Sequence, residues 1–293
     1  MFEGGPVFRF APSPNGYLHL GHAYSALLNL RLAKAQSGRL LLRIEDIDPG
    51  RSRRHFESAL IEDLAWLGFH WDKKPRRQSE HLDDYRAALA NLVARGLAYP
   101  CFCSRSDVAR ICANKVHWPL DPDGASIYPG TCRNMTEAER RRRLIEGARH
   151  CLRLDMGKAL AEVRVPLTYR EYYEAEAGIT VSAQPQAWGD VLIGRKDVPA
   201  SYDISCVLDD DAQGVTDVVR GIDLEAATGL HRLLQALLGL RTPDYRHHRL
   251  VFDAEGRKLS KNQSSPGIRG LREQGVSADA IRVELSQRMN LVL

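Results

Sequence analysis

A segment near the N-terminus carries side chains that suit phosphate binding. His19, Gly21 and His22 lie directly before a run with helical periodicity and after a cluster of turn-forming residues. A glycine lets a ligand approach the backbone closely, and the N-terminus of a helix offers unpaired N–H groups with partial positive charge. Imidazole groups can donate further hydrogen bonds to phosphate oxygens. This segment is therefore typical of an anion site.

A second group of cationic side chains occurs much later in the chain. Lys258, Ser260 and Lys261 lie between Gly256 and Gly267. Amines that approach a triphosphate stabilise the negative charge that grows when phosphorus is attacked. Each histidine or lysine taken alone could be an ordinary solvated residue, but the two segments together favour nucleotide chemistry.

The elements around the first segment predict a βαβ unit. Residues 7–11 have the pattern of a strand, an amphipathic helix follows from His22, and residues 39–44 have the pattern of the next strand. A helical crossover makes its two strands parallel, and nucleotides bind at the carboxyl ends of such strands. We therefore expect an α/β fold with a Rossmann-like, doubly wound parallel sheet.

Later runs continue this alternation, with an interruption at residues 100–135. Helices are predicted at residues 56–67, 85–93 and 230–238, and strands at residues 151–154, 191–193, 204–208 and 215–219. We expect residues 1–99 and 188–240 to form the two halves of a catalytic core. Residues 100–187 would form an insertion, and residues 241–293 a small, mostly helical C-terminal part with the lysine segment.

Composition restricts the class of protein. The chain has 293 residues, of which 44% are apolar, and a formal net charge of +4. The size permits one large or two modest domains, and the weak positive charge permits a polyanionic partner without requiring one. Because no apolar run reaches membrane-spanning length and the N-terminus lacks the features of a signal peptide, we expect a cytoplasmic protein without membrane contact.

The cysteines indicate a metal site within the insertion. The chain has six cysteines, and four of them lie in residues 100–135. Without a secretion signal they argue against a disulfide framework and leave thiols for a metal or for the core. Cys101 and Cys103 are the most suggestive pair, whereas Cys151 and Cys206 lie on strand-like runs and are expected to be core thiols.

The two phosphate-binding segments resemble the paired motifs of a known family. Residues 12–22 are similar to the HIGH motif of class I aminoacyl-tRNA synthetases, in the form of the glutamyl and glutaminyl subgroup. Residues 258–261 are similar to the KMSKS motif of the same family. The resemblance implies an ATP-dependent ligase that activates L-glutamate as an acyl-adenylate, with Mg²⁺ accompanying ATP.

The resemblance also assigns roles to residues of both segments. His19, His22, Lys258 and Lys261 would act in catalysis by stabilising charge on the phosphates. The implied ATP-binding set is His19, Gly21, His22, Lys258, Ser260 and Lys261.

For the amino acid, the resemblance implies a pocket of complementary charges. Arg9 would pair with the substrate side chain, because a guanidinium fork suits a carboxylate, and Glu45 would pair with the ammonium group. The implied glutamate-binding set is Arg9, Ala11, Ser13, Glu45, Tyr202 and Arg220. In the alternative interpretation, the charged residues form surface ion pairs and Tyr202 is a core aromatic residue.

The insertion resembles the zinc site of this subgroup. The ligands implied by that resemblance are Cys101, Cys103, Tyr128 and Cys132, and three thiolates favour structural Zn²⁺ over harder cations. Cys112 or His117 could replace Tyr128 as the fourth ligand.

The length of the chain resembles the short members of the subgroup, which have no anticodon-binding domain. This resemblance implies transfer of glutamate to the queuosine base in the anticodon stem-loop of tRNA(Asp), by a monomer. Arg51, Arg53, Arg54 and residues 140–143 are candidate RNA contacts, although arginine runs are usually solvated helix faces. The alternatives are charging of the 3′ end of tRNA(Glu), activation of a different acid, or a catalytically silent tRNA-binding module.

Overall fold

The computed structural model describes residues 5–113, 115–172, 177–253, 256 and 267–293. Within these residues the chain forms two sheets with helices packed around them. The strands are β1 Val7–Phe10, β2 Arg39–Ile44, β3 Arg76–Arg77, β4 Ala98–Cys101, β5 Cys151–Leu154, β6 Thr168–Glu171, β7 Ile179–Ser182, β8 Leu192–Gly194, β9 Asp217–Gly221 and β10 Asp244–His248. The helices are α1 Leu20–Ala35, α2 Arg54–Trp66, α3 Leu82–Ala94, α4 Arg105–Ala113, α5 Glu137–Ile145, α6 Met156–Glu162, α7 Tyr202–Ala212, α8 Glu225–Leu238, α9 Ile268–Glu273 and α10 Ala278–Met289.

The larger sheet has the doubly wound topology that the sequence predicts. Its seven strands lie in the order β3-β2-β1-β9-β10-β6-β7, and only the pairing of β6 with β7 is antiparallel among the described strands of this sheet. Strand β1 has β2 on one side and β9 on the other, so the strand order reverses beside it. Ligands of such sheets bind at this switch point, outside the carboxyl ends of the strands.

Two apolar cores hold the helices against the strands. The first joins α1, α2, α9 and α10 to β1 and β2, and it includes Phe8, Leu27, Leu42, Leu64 and Leu285. The second joins α3, α6, α7 and α8, and it includes Tyr85, Leu154, Ile204 and Leu233. The small C-terminal part is helical, as expected, and α10 packs on the first core rather than forming a separate unit.

The smaller sheet carries the cysteine-rich insertion. Its antiparallel strands lie in the order β4-β5-β8, and β4 ends at Cys101. The expected boundary at residue 187 does not coincide with the division between the sheets. Strands β6 and β7 precede that residue yet extend the larger sheet beside β10, whereas β8 follows it yet pairs with β5.

One predicted strand is a helix. Residues 204–208 were expected to be extended because they are rich in apolar residues, but they lie inside α7. Ser201 caps this helix by accepting a hydrogen bond from the backbone N–H of Ile204, and Ile204 and Val207 are buried on one face. A serine cap followed by apolar residues three positions apart is a helical signal, and here it outweighs β-propensity.

The first βαβ unit forms as the sequence predicts. Strand β1 pairs with β2 in parallel, and α1 begins at Leu20, two residues earlier than expected.

Among the described helices, none is both long enough and apolar enough to cross a lipid bilayer.

A buried carboxyl group lies between α2 and the C-terminal helix α9. Asp63 is 1% exposed, and its Oδ2 atom has no hydrogen-bond partner. Burial raises the pKa of Asp63 to about 6, although the charges of Arg272 and Arg269 act in the opposite direction. The folded protein therefore favours the protonated acid more strongly than the unfolded chain does.

We expect Asp63→Asn to stabilise the fold at alkaline pH. The wild-type contribution of Asp63 is fully present below the unfolded pKa of 3.8 and is lost as pH rises through about 6. The free energy of unfolding of Asp63→Asn should exceed that of the wild type by on the order of 1–3 kcal/mol at pH 8, and by less at pH 5. Urea unfolding at both pH values measures this difference. An exposed acid on another helix offers a control, since Asp83→Asn in α3, at a side chain 94% exposed, should show no such pH-dependent gain.

Candidate active site

The segment that resembles the HIGH motif forms the N-terminus of α1. His19 is the N-cap residue, and its Nδ1 atom accepts a hydrogen bond from the N–H of Gly21 at 3.1 Å. The Nδ1 atom of His22 accepts from the N–H of His19 at 3.2 Å, and the two ring centroids are 3.8 Å apart. Both imidazoles are therefore fixed at a helix N-terminus, which is a site of positive electrostatic potential.

Two glycines permit close packing around this N-terminus. A Cβ atom at Gly21 would lie 3.0 Å from the His19 ring, and a Cβ atom at Gly267 would lie 2.9 Å from the carbonyl oxygen of Leu18. The next residue, Ile268, donates its N–H to the same carbonyl at 2.7 Å. The start of α9 is therefore docked directly against the loop that carries the histidines.

The lysine segment can be located only by its ends. Lys258, Ser260 and Lys261 lie outside the described residues. On one side of them, Val251 is buried in the first apolar core, and on the other Gly267 contacts Leu18.

A shared carboxylate fixes the carboxyl ends of β1 and β2. Arg9 in β1 donates from Nε to Oδ1 of Asp210 at 3.1 Å, and Arg43 in β2 donates from Nη1 to the same oxygen at 2.6 Å. All three side chains are almost completely buried. Burial alone would raise the pKa of Asp210, but the two guanidinium charges outweigh burial and hold that pKa well below its usual range.

Glu45 follows β2 and faces the cleft at the switch point. Its Oε1 atom accepts from Nη2 of Arg43 at 3.3 Å, and its backbone N–H donates to the carbonyl of Pro12 at 3.1 Å. Burial raises the pKa of Glu45, although the charges of Arg43 and Arg9 oppose that effect. A carboxylate with only part of its charge compensated can accept a cationic group of a ligand.

The cleft itself has a volume of about 100 Å³ and a mixed polar lining. The residues that line it and that also belong to the expected glutamate-binding set are Ser13, Glu45 and Tyr202. Ala11 lies between the cleft loop and β1, directly after Phe10. The cleft is further bounded by Asp48 and Arg195, whose side chains form an ion pair at 3.0 Å.

Arg220 differs from Arg9 and Arg43 in its partners. It lies in β9 with 5% exposure, and no carboxylate of the described residues is within 4.0 Å of its guanidinium group. It donates to the Tyr202 hydroxyl at 3.5 Å, to Oγ1 of Thr228 at 2.7 Å and to the carbonyl of Leu224 at 3.1 Å. The pKa of Tyr202 is raised by burial, so the phenol stays neutral. The charge of Arg220 is therefore not neutralised by direct contact.

Two histidines that sequence reasoning missed complete the surroundings of Arg220. His247 of β10 and His231 of α8 each turn one ring nitrogen toward the guanidinium group, at 3.4 and 3.2 Å. Asp210 was also missed. The sequence signal for this residue is a run of acids that follows the apolar residues of α7. The prediction of a strand at residues 204–208 concealed that signal, because it did not place the acids on a helix.

The cysteine cluster has the composition and spacing of a metal site. The Sγ atoms of Cys101, Cys103 and Cys132 lie within 4.8 Å of one another, and the pair Cys103–Cys132 is 3.6 Å apart. The Tyr128 hydroxyl lies 3.3 Å from Sγ of Cys101 and 3.5 Å from Sγ of Cys103. Tetrahedral zinc with Zn–S near 2.3 Å and Zn–O near 2.0 Å places two sulfurs about 3.8 Å apart and sulfur and oxygen about 3.5 Å apart.

The alternative fourth ligands lie elsewhere. Cys112 points to the carbonyl of Ile127 at 3.9 Å, and His117 is exposed in a turn. Neither joins the three thiols as a metal-binding group among the described residues. Tyr128 is the oxygen donor beside the thiols, so the donor set of the structure fits zinc.

Three arginines of the run at residues 140–143, which were considered as RNA contacts, form surface ion pairs. In α5, Arg142 and Arg143 both pair with Glu139, and Arg140 pairs with Glu137. This arrangement is that of a solvated helix face, as the sequence interpretation favoured.

Comparison with known proteins agrees with the fold. Residues 7–288 match the family described as tRNA synthetases class I (E and Q), catalytic domain. The chain therefore belongs to the class I tRNA synthetases of the glutamate and glutamine type, and it is an ATP-dependent ligase.

Relatives with individual names make this assignment more specific. The chain is 44% identical, over 94% of its length and 98% of the relative's, to the glutamyl-Q tRNA(Asp) synthetase of Rhodobacter capsulatus. It is 36% identical to glutamate–tRNA ligase 2 of Syntrophus aciditrophicus over 94% of this chain, but it spans only 56% of that protein. The crystal structure of the glutamate-tRNA synthetase of Elizabethkingia anophelis superposes with a TM-score of 0.70 and 26% identity, covering 92% of this chain and 54% of the other.

We expect Asp210→Asn to destabilise the protein strongly, because it leaves two buried guanidinium groups without their shared carboxylate. The free energy of unfolding should fall by about 3–5 kcal/mol, the usual cost of removing one partner of a buried pair. Asp211→Asn is a matched control, since the neighbouring acid pairs with the half-exposed Arg241 at the surface. That change should cost about 1 kcal/mol or less. Equal losses in urea titrations of the two variants would contradict the central role of Asp210.

Proposed function

We propose that the chain activates L-glutamate with ATP and transfers the glutamyl group to the queuosine base in the anticodon loop of tRNA(Asp). In the first step, the α-carboxylate of glutamate attacks the α-phosphorus of ATP and pyrophosphate leaves. In the second step, a hydroxyl group of queuosine attacks the acyl-adenylate and AMP leaves. Both steps require an anion site beside a pocket for a small dicarboxylic amino acid.

The observation that carries the proposal is the arrangement of charges in the cleft at the switch point. Glu45 offers a carboxylate to the substrate ammonium group, whereas Arg220, through the side that faces Tyr202, offers a cation with uncharged direct partners. Such a pair is complementary to an amino acid with an acidic side chain. Ala11 and Ser13 would bind the amino acid from the loop after β1, and Arg9 would contribute charge although it already donates to Asp210.

ATP would lie at the N-terminus of α1. The backbone N–H groups there, with His19, Gly21 and His22, would bind its phosphates. Gly267, which contacts the loop before His19, follows Lys261 by six positions in the sequence. We propose that Lys258, Ser260 and Lys261 bind the same phosphates. Mg²⁺ would accompany ATP and neutralise part of its charge.

The acceptor is supported by the relatives. The protein of Rhodobacter capsulatus, with the higher identity of the two relatives described above, is named for glutamyl-Q transfer to tRNA(Asp). A glutamate–tRNA ligase acting on tRNA(Glu) is the second candidate, because the Syntrophus relative has that name. We propose that the chain acts on its tRNA as a cytoplasmic monomer.

An acceptor assay tests the proposal. Labelled glutamate should attach to tRNA(Asp) that contains queuosine, and not to the same tRNA without it or to tRNA(Glu). The label is measured as acid-precipitable counts, after ATP–pyrophosphate exchange has shown that glutamate is activated. Labelling of tRNA(Glu) at the same rate as queuosine-containing tRNA(Asp) would favour the second candidate instead.

We also propose that Cys101, Cys103, Tyr128 and Cys132 hold a structural zinc ion. When bound, zinc would supply cross-linking between β4 and the loop at residues 128–132, and no step of catalysis requires it. In the absence of a cation, the neighbouring Cys101 thiol and burial raise the pKa of Cys132 to about 12, so this thiol stays protonated and would lose its proton only when a cation binds. The distances between the donors support a tetrahedral ion.

One equivalent of zinc should copurify with the protein. Cys103→Ser should lose most of that metal, because a hydroxyl group is a much poorer zinc ligand than a thiolate. Cys112→Ser is the control and should retain it. Metal content is measured by mass spectrometry, together with the melting temperature. If Cys103→Ser kept its zinc and Cys112→Ser lost it, the donor set would be different from the one proposed.

A further inference from the structure

Two hydrogen-bonded series of side chains lead to Arg220, and both contain the same kinds of group in the same order. His247 lies between Arg220 and Glu171, with its Nε2 atom 3.4 Å from the Nε atom of Arg220 and its Nδ1 atom 2.5 Å from Oε1 of Glu171. His231 lies between Arg220 and Asp203, with both of its nitrogen contacts at 3.2 Å. Each series therefore runs from a carboxylate through an imidazole to the guanidinium group.

These contacts fix the tautomer of both histidines. A guanidinium group has only N–H donors, so the ring nitrogen that faces Arg220 must accept. In a neutral imidazole the other nitrogen then carries the proton and donates to the carboxylate. Burial lowers the pKa of His247 to about 3 and also lowers that of His231, so both rings are neutral.

Thr228 supports the same assignment for His247. Its Oγ1 atom accepts from Nη2 of Arg220 at 2.7 Å and lies 3.0 Å from Nε2 of His247. Because the hydroxyl oxygen accepts from Arg220, its hydrogen is available to donate to the ring nitrogen. With Nε2 of His247 unprotonated, Thr228 accepts from Arg220 and donates to the ring, so both of its contacts are hydrogen bonds.

The result is a guanidinium group whose five N–H groups all have partners and whose charge is uncompensated by direct contact. Tyr202 accepts from Arg220, so its own O–H is directed elsewhere, and Tyr202 lines the cleft. A ligand that reaches this side of Arg220 would meet the O–H of Tyr202, with the uncompensated charge of the guanidinium group behind it. Both oxygens of a carboxylate can accept hydrogen bonds here. The NH₂ group of an amide can only donate, so it would find no acceptor on this side.

We propose that Glu171–His247 and Asp203–His231 are positioning pairs that hold Arg220 as a donor-only cation, and thereby select the side-chain carboxylate of glutamate over the amide of glutamine. This inference rests on the proposed activation of glutamate. The four residues act through Arg220 and Tyr202, and they do not touch the substrate themselves. Arg220 lies behind the cleft, where it contacts residues of β10 and α8. The reacting α-carboxylate of glutamate must stay near the phosphate site at α1. Its side-chain carboxylate is therefore the group that would point toward Arg220.

The sharpest test is Glu171→Gln. An amide at this position has no charge and can face Nδ1 of His247 with either its oxygen or its NH₂ group, so it no longer fixes the proton on Nδ1, and a proton on Nε2 would oppose Arg220. The wild type should exchange pyrophosphate with glutamate far better than with glutamine. In Glu171→Gln the ratio of kcat/KM for glutamate to that for glutamine should fall 10-fold or more through a higher KM for glutamate, while the KM for ATP stays the same.

Asp203→Asn tests the second pair in the same way, and its carboxylate is partly exposed, so this variant should tolerate the change if Glu171→Gln does not fold. Asp190→Asn is the matched control. Asp190 is a 3% exposed carboxylate that binds Tyr99 and Arg133 in the smaller sheet, away from Arg220, and its replacement should leave the glutamate to glutamine ratio unchanged.

The outcomes separate the inference from the function on which it rests. No glutamate-dependent exchange by the wild type would refute the proposed function. Wild-type exchange with an unchanged selectivity ratio in a folded Glu171→Gln or Asp203→Asn variant would refute the positioning pairs. ¹⁵N NMR of the histidine rings gives a direct readout, since His247 should carry its proton on Nδ1 in the wild type and should also populate the Nε2 tautomer in Glu171→Gln.

Discussion

The carboxylate of Asp210 joins the three elements on which the cleft depends. It binds Arg9 of β1 and Arg43 of β2 from its position in α7, and all three groups are buried. Because both guanidinium groups pair with this one carboxylate, the carboxyl ends of two neighbouring strands are held in one relative position. Glu45 extends this network by accepting from Arg43. The geometry of the amino-acid cleft therefore depends on a charge that lies outside it.

The buried arginines divide into two kinds. Arg9 and Arg43 form ion pairs with a carboxylate of the protein, whereas Arg220 has imidazole, hydroxyl and carbonyl groups as its direct partners. The carboxylates nearest to Arg220 in the two series lie one imidazole ring away. A family resemblance identifies such residues by position, but only their partners show which charge is available to a ligand.

The sequence predicts best what is decided locally. The unit of β1, α1 and β2 has clear periodicity, turn residues and a helix start, and it forms as expected. Helix α7 was missed because its apolar residues also suit a strand, and with it Asp210, whose partners are about 170 and 200 residues away in the chain. Strands β6 and β10 carry too many polar residues to show an apolar pattern, so Glu171 and His247 were not found. The cysteine cluster was found by resemblance, and its distances agree.

The hydrogen bond from Ile268 to Leu18 joins residues separated by almost the whole chain. During synthesis the loop that carries the histidines leaves the ribosome early, but α9 follows only after about 250 further residues have been added. Contacts of such sequence separation form late, because a long loop must close first. A nascent chain therefore completes the packing around the N-terminus of α1 only after α9 has been synthesised, and shorter translation products lack it.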